Sequence, residues 1–134
     1  MADTIQFDLV SPTKLVASQA VDMVVVPGGE GDLGVLPGHS LLIGTVRPGV
    51  IDIHEGGKVT NRIFVAGGFV EVNPDTCTVL VEEATAVADI DKAAASQRLQ
   101  DAQKALADAG GDAKAKSAAE GEVKVAEAMI AAAS

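Results

Sequence analysis

The stretch from Gly28 to Pro48 constrains the fold more than any other part of the chain. It holds six of the fourteen glycines and two of the five prolines, with short apolar runs between them. Glycine accepts positive φ and proline removes a backbone donor, so this segment turns sharply several times and does not run as a helix. A β-domain with tight corners is the expectation. Gly29, Gly31 and Gly34 also satisfy the spacing G-x-G-x-x-G after the strand-like run Met23 to Val26, which is how a dinucleotide-binding turn opens. That motif needs a helix whose N-terminus receives the pyrophosphate. Pro37 and Gly38 stand where its second turn would be, and Glu30 and Asp32 put negative charge inside the loop. No cofactor site is expected there.

The residues on either side read as strands. Ile5, Phe7 and Leu9 alternate with Gln6 and Asp8 over Thr4 to Ser11, the period of a half-buried strand that Pro12 ends. Lys14 to Ala20, Val21 to Val26, Leu41 to Val46, Val50 to His54, Val59 to Val65, Phe69 to Val72 and Cys77 to Val81 follow. Glu55-Gly56-Gly57-Lys58 has the length and composition of a hairpin turn. Short strands with turn signals every eight to twelve residues argue for an antiparallel sandwich or barrel. Its core is aliphatic, because tryptophan and tyrosine are absent and only Phe7, Phe64 and Phe69 supply aromatic bulk.

Near Glu82 the composition changes. Alanine dominates from Ala84 onward, proline disappears, and glycine is confined to Gly110, Gly111 and Gly121. Asp89 or Asp91 caps a helix that runs to about Ala109; Gly110-Gly111-Asp112 breaks it, and a second runs from about Ala113 to Ala132. Ala95, Leu99, Ala102 and Leu106 form a stripe on the first, and Ala119, Val123, Ala126 and Ile130 one on the second. The expected organisation is a β-domain over residues 1–86 and a helical hairpin over 87–134. Alanine stripes bury little area, so at ~25 cal/mol per Å² the hairpin gains only a few kcal/mol from its contacts before entropy is subtracted.

Several functions are excluded by what is missing. A formal charge of −9 opposes phosphate neutralisation, and with no basic patch or stacking aromatics nucleic acid is not a partner. The single cysteine, Cys77, alternates with Val79 and Val81 and reads as a small buried hydrophobe in a reducing compartment. His39 and His54 stand in different turns without a third ligand at metal spacing, and His39, after Pro37-Gly38, is expected to bond within its own turn. Neither a phosphate-binding G-x-x-x-x-G-K-[ST] nor a G-x-S-x-G occurs. No apolar run approaches the ~20 residues of a membrane span. Met1 to Gln6 carries neither a secretory nor a transit signal. No catalytic residue, metal or cofactor is expected.

Three segments carry a longer similarity. They are Glu30-Gly31-Asp32-Leu33-Gly34-Val35-Leu36-Pro37-Gly38-His39, then Arg47-Pro48-Gly49-Val50-Ile51-Asp52-Ile53, and Phe64-Val65-Ala66-Gly67-Gly68-Phe69-Val70-Glu71-Val72. In these, and in the order of an acidic β-domain before an alanine-rich hairpin, the chain resembles the epsilon subunit family of bacterial F-type ATP synthases over essentially its whole length. The resemblance implies a flattened antiparallel β-sandwich of about ten strands followed by a two-helix hairpin. It implies a non-catalytic rotor subunit of the central stalk, coupling proton-driven rotation of the c-ring and gamma subunit to ATP synthesis in the head. The implied location is the cytoplasmic face of the bacterial inner membrane, as a peripheral protein. The implied partners are the gamma subunit, the c-ring and, through the hairpin, the alpha/beta head. Glu30 and Asp32 are implied to face the polar loops of the c-ring, and His39 matches a position near subunit contacts.

Nucleotide-binding members of the family open the first helix with Ile or Leu, Asp, two variable residues, Arg and Ala. Ile90, Asp91 and Ala95 keep that pattern here, but Ala94 occupies the arginine position and removes a bidentate phosphate partner. The motif is degenerate and implies weak or no ATP binding. A second reading, a nucleotide-sensing regulator that inhibits ATP hydrolysis through the hairpin, would require that motif to work. A third, a free-standing sandwich with a small ligand, would require converging polar groups that the sequence does not display.

Overall fold

The computed structural model describes residues 4–133, and the chain divides into two compact units after Val87. The first is a single ten-stranded sheet. Its strands are β1 Ile5–Ser11, β2 Lys14–Val21, β3 Met23–Gly28, β4 Gly31–Val35 and β5 Leu42–Val46, then β6 Gly49–Glu55, β7 Lys58–Val65, β8 Gly68–Val72, β9 Thr76–Val81 and β10 Ala84–Ala86. They lie in the order β10-β7-β6-β3-β5-β8-β9-β1-β2, with β4 attached to β3.

Alternation decides what is buried. Ile5, Phe7 and Leu9 of β1, Val24 and Val26 of β3, Ile51 and Ile53 of β6, and Cys77 and Val79 of β9 are fully enclosed, and they meet in one cluster. Strands from distant places in the sheet therefore face each other, and the sheet doubles over into a flattened sandwich. β-Branched residues dominate this cluster, which suits a pleated surface where each side chain packs on its cross-strand neighbours.

The ten strands agree with the architecture the resemblance implies, but two of them are not visible in the residues alone. The segment Gly31–Val35, read above as loop, is β4, paired with Val24 to Gly28 of β3. Only Leu33 and Val35 in it are apolar, so the alternation is too short to register, and the partner strand supplies the order. Asp32 accordingly sits on a strand and not within a loop. Ala84–Ala86 is β10, paired with Ile63 to Val65 of β7. Alanine has no strand preference, so here long-range pairing overrides local propensity. All pairs are antiparallel except β1 with β9, which run parallel from Gln6 opposite Thr76 to Val10 opposite Leu80. A parallel pair needs a crossover, and here the rest of the sandwich between the two strands provides it.

The second unit contains α1, Lys92–Asp108, and α2, Ala113–Ala133. Asp91 caps α1, its carboxylate accepting from the backbone N–H of Ala93 at 2.9 Å and Ala94 at 3.2 Å. Asp112 accepts from the N–H groups of Lys114 and Ala115 at the start of α2, each at 3.1 Å. Ala95 and Ala102 are the buried positions of α1; Ala119 and Ala126 recur on α2, joined by Val125 and Met129, which widen the expected stripe. No helix among the described residues is long and apolar enough to cross a membrane.

Candidate functional site

The three glycines of the apparent dinucleotide motif lie in the β3–β4 hairpin, with a strand after them and no helix N-terminus. Gly28 and Gly31 close that hairpin as a pair, leaving Gly29 and Glu30 at its tip. The tip is pressed against β5: a Cβ on Gly29 would fall 2.4 Å from Thr45 Oγ1, and the Gly29 N–H donates to Thr45 O at 2.9 Å. A side chain there would have to displace the Thr45 hydroxyl.

Arg47, in the corner between β5 and β6, reaches the same hairpin twice. Nη1 donates to Gly28 O at 2.6 Å and Nη2 to Asp32 Oδ1 at 2.5 Å, while its backbone N–H donates to Pro27 O at 2.8 Å. Glu30 and Asp32 are thus on one exposed hairpin, Glu30 at its tip and Asp32 on the strand β4. His39 is fastened elsewhere: its Nδ1–H donates to Ser40 O at 2.7 Å, its N–H to Leu36 O at 3.1 Å, and the neighbouring Gly38 N–H to Pro74 O at 2.9 Å. That is bonding within its own turn, with the loop tied to the β8–β9 corner. Beside the hairpin, Glu30, Asp32, Leu33, Leu42, Ile43 and Val70 line an open cleft of about 470 Å³.

The feature that sequence reasoning missed is an apolar row on the outer face of the sheet. Register places Thr45 of β5 opposite Phe69 of β8, Phe69 opposite Leu80 of β9, Leu80 beside Val10 of β1, and Val10 opposite Leu15 of β2. Phe69 is 61% exposed, Leu80 52% and Leu15 59%, and Ile43 adds 77% on β5. The next row on this face is polar apart from Ile43, with Glu71, Thr78, Asp8 and Ser18. There Asp8 accepts from Ser18 Oγ at 2.6 Å and Gln6 Nε2 at 3.1 Å, and these bonds hold its carboxyl below the usual range. The available signal was apolar residues at outward positions of alternating strands. Each looks like ordinary scatter until pairing aligns them.

In the helical unit, Asp91 is engaged as a cap, Ala95 is buried, and Ala94 is exposed on a groove shared with Arg98, Asp101, Ala102 and Glu122. Arg98, one turn beyond Ala94, is bonded through Nε to the Glu122 carboxylate. No group of three or more His, Cys, Asp or Glu side chains converges to hold a metal among the described residues.

Cys77 lies between Phe7 and Val72 in the register and is fully buried. Burial pushes its thiol from the ordinary 9.0 up to about 12. The unfolded thiol ionises at the lower pH, so this contribution to stability is complete below that pH and is lost as pH rises toward 12, with a slope approaching ~1.4 kcal/mol per pH unit. Urea unfolding of the native chain and of Cys77→Val, between about pH 8 and about pH 10.5, is expected to show about 2 kcal/mol more loss for the native chain. Equal losses would mean that the folded thiol ionises as freely as the unfolded one.

Residues 4–87 match the family described as the ATP synthase, Delta/Epsilon chain, beta-sandwich domain. The chain is 56% identical over 132 residues to the ATP synthase epsilon chain of Paramagnetospirillum magneticum, and the alignment covers 98% of each. The epsilon chain of Rhodospirillum rubrum is 51% identical over the same length and coverage. Among solved structures, a chain of the Euglena gracilis mitochondrial ATP synthase (OSCP/F1/c-ring, rotational state 1) has the same fold at a TM-score of 0.82 and 22% identity, over 98% of this chain and 82% of that one. A chain of the Tetrahymena thermophila mitochondrial ATP synthase central stalk/c-ring gives 0.63 at 16% identity, over 97% and 96%. With a family match over most of its length and relatives more than half identical over 98% of it, the chain belongs to the ATP synthase Delta/Epsilon chain family.

Proposed function

We propose that this chain is the non-catalytic rotor subunit of the central stalk in a proton-translocating F-type ATP synthase, coupling rotation of the c-ring and gamma subunit to ATP synthesis in the head. The observation that carries the reading is the apolar row of Phe69, Leu80, Val10 and Leu15 across β8, β9, β1 and β2, held on a sheet whose opposite face is a close-packed aliphatic core. A torque-bearing part needs stiffness and lasting contacts, and no reactive group. A contiguous exposed apolar strip flanked by polar residues fits a permanent protein partner.

We assign the strip to the gamma subunit and the hairpin of Glu30 and Asp32 to the polar loops of the c-ring, with the loop of His39 in the same contact set. The helical hairpin is assigned to the alpha/beta head. The cytoplasmic face of the bacterial inner membrane, as a peripheral subunit, follows from these partners. The regulator reading gains nothing from the groove geometry, because Asp91 caps α1 and Arg98 faces the Glu122 carboxylate.

The test is affinity purification of the tagged chain from detergent-solubilised membranes of its own host. Recovery of the gamma subunit together with the membrane sector is expected. Recovery of the chain alone, from membranes whose synthase is intact, would overturn the proposal.

A further inference from the structure

The two acids of the β3–β4 hairpin do not share one role. Glu30 stands at the exposed tip, whereas the Asp32 carboxylate is bonded to the Arg47 guanidinium, whose other terminal nitrogen holds the Gly28 carbonyl across the same hairpin. We propose that Arg47 is a positioning residue that locks the acidic hairpin against β5 by bridging Gly28 O and Asp32, so that Asp32 acts through Arg47 and Glu30 alone presents free charge to a cationic partner surface. The proposal rests on the assignment of this hairpin as a contact.

Three observations converge on the clamp. Arginine's planar fork reaches two acceptors at once, which a lysine ammonium at the end of a flexible stem does not reproduce. The corner that carries Arg47 is itself anchored, since its backbone N–H donates to Pro27 O, so the guanidinium and the hairpin are fixed to one framework. Gly29 leaves no side chain between the tip and Thr45, and its N–H bond to Thr45 O is the local bond that must break when the tip lifts. An isolated two-residue turn with a glycine on each side of Glu30 would otherwise sample many conformations, and each would carry the Glu30 charge to a different place. Ordering the turn before binding removes that entropic cost from the encounter.

Hydrogen exchange at the Gly29 amide of the full chain reads the clamp directly, without any partner. Arg47→Gln, which removes both bonds, is expected to speed Gly29 exchange about tenfold, Asp32→Asn, which leaves the Gly28 O bond, by less, and the double variant no more than Arg47→Gln alone, while the amides of Phe7 and Val79 in the core stay unchanged. Arg47→Lys is expected to fall between. A second arm measures rebinding to synthase complexes depleted of this subunit. Arg47→Gln and Asp32→Asn should weaken it in the same order as they speed Gly29 exchange, whereas Glu30→Gln should weaken it with Gly29 exchange untouched. Unchanged Gly29 exchange in Arg47→Gln overturns the clamp whatever the binding arm gives. Weaker binding by Asp32→Asn without faster exchange would make Asp32 a direct contact and overturn the division of roles. If Glu30→Gln binds normally while the exchange results hold, the clamp stands and the contact assignment of the hairpin fails instead.

Discussion

Gly68→Ala is expected to destabilise the β-unit by about 3–5 kcal/mol, enough to unfold a marginal domain. Gly68 opens β8 at φ +155°, and a Cβ built on it would lie 2.0 Å from Leu80 O, 3.0 Å from Leu80 C and 3.1 Å from Val81 Cα. Those atoms are backbone of β9, which β8 and β1 hold on its two sides, so no flexible side chain can yield. Relief requires prising β8 from β9 at the Gly68–Val81 pair, and Gly68 also faces Val46 of β5. Strain at a backbone conformation that side chains rarely adopt contributes roughly 1–3 kcal/mol and overpacking a similar amount. At ~4–8 °C per kcal/mol for a domain of this size, thermal unfolding should begin some 15–30 °C lower. The same substitution at Gly121, exposed within α2 with nothing near its Cβ position, should stabilise the chain by up to ~1 kcal/mol. Urea denaturation of both variants decides the matter. A loss below ~1 kcal/mol at Gly68 would mean that the β9 backbone gives way.

That opposite outcome for one substitution shows what a sequence displays and what it withholds. Gly67-Gly68 reads as punctuation between strands, and it is; which backbone approaches Gly68 depends on β9 lying beside β8, a fact of register. The strands with clean alternation, such as Ile5-Phe7-Leu9 and Cys77-Val79-Val81, were legible because each carries its own period. β4 and β10 were not, because Gly31–Val35 and Ala84–Ala86 take their conformation from β3 and β7. The helices were legible nearly to the residue, since capping by Asp91 and interruption at Gly110-Gly111 are local signals. Glu30 and Asp32 were singled out as one acidic pair. Their separation into a free and a bridged carboxylate required Arg47, fifteen residues beyond Asp32, to be seen returning to the hairpin. The apolar row is the extreme case, since Leu15, Phe69 and Leu80 are unrelated in sequence and adjacent only through the β1–β2, β1–β9 and β8–β9 registers.

If that row is the docking surface, Phe69→Asp should abolish stable assembly while leaving the isolated chain folded. The aromatic ring already stands mostly in water, 61% exposed, so its loss costs the monomer at most ~1 kcal/mol through strand preference. In a complex the arithmetic changes. Covering the exposed part of a phenylalanine removes on the order of 120 Å² from water, worth about 3 kcal/mol at ~25 cal/mol per Å², and aromatic anchors near the centre of an interface commonly carry that much. An aspartate in its place must also lose its hydration opposite an apolar partner surface, which adds cost where the alanine change would only remove a benefit. Retention in the assembled synthase should therefore fall at least a hundredfold for Phe69→Asp and less for Phe69→Ala. A charge change at Lys58→Ser, in the β6–β7 hairpin and outside the row, should leave it unchanged. The position of Leu80 provides an internal control on mechanism: Leu80→Asp lies directly across the ladder from Phe69, so once either is charged the other should add little. Normal assembly of Phe69→Asp, verified as folded by its unchanged urea midpoint, would remove the apolar face from the contact map and with it the main support for a permanently seated rotor part.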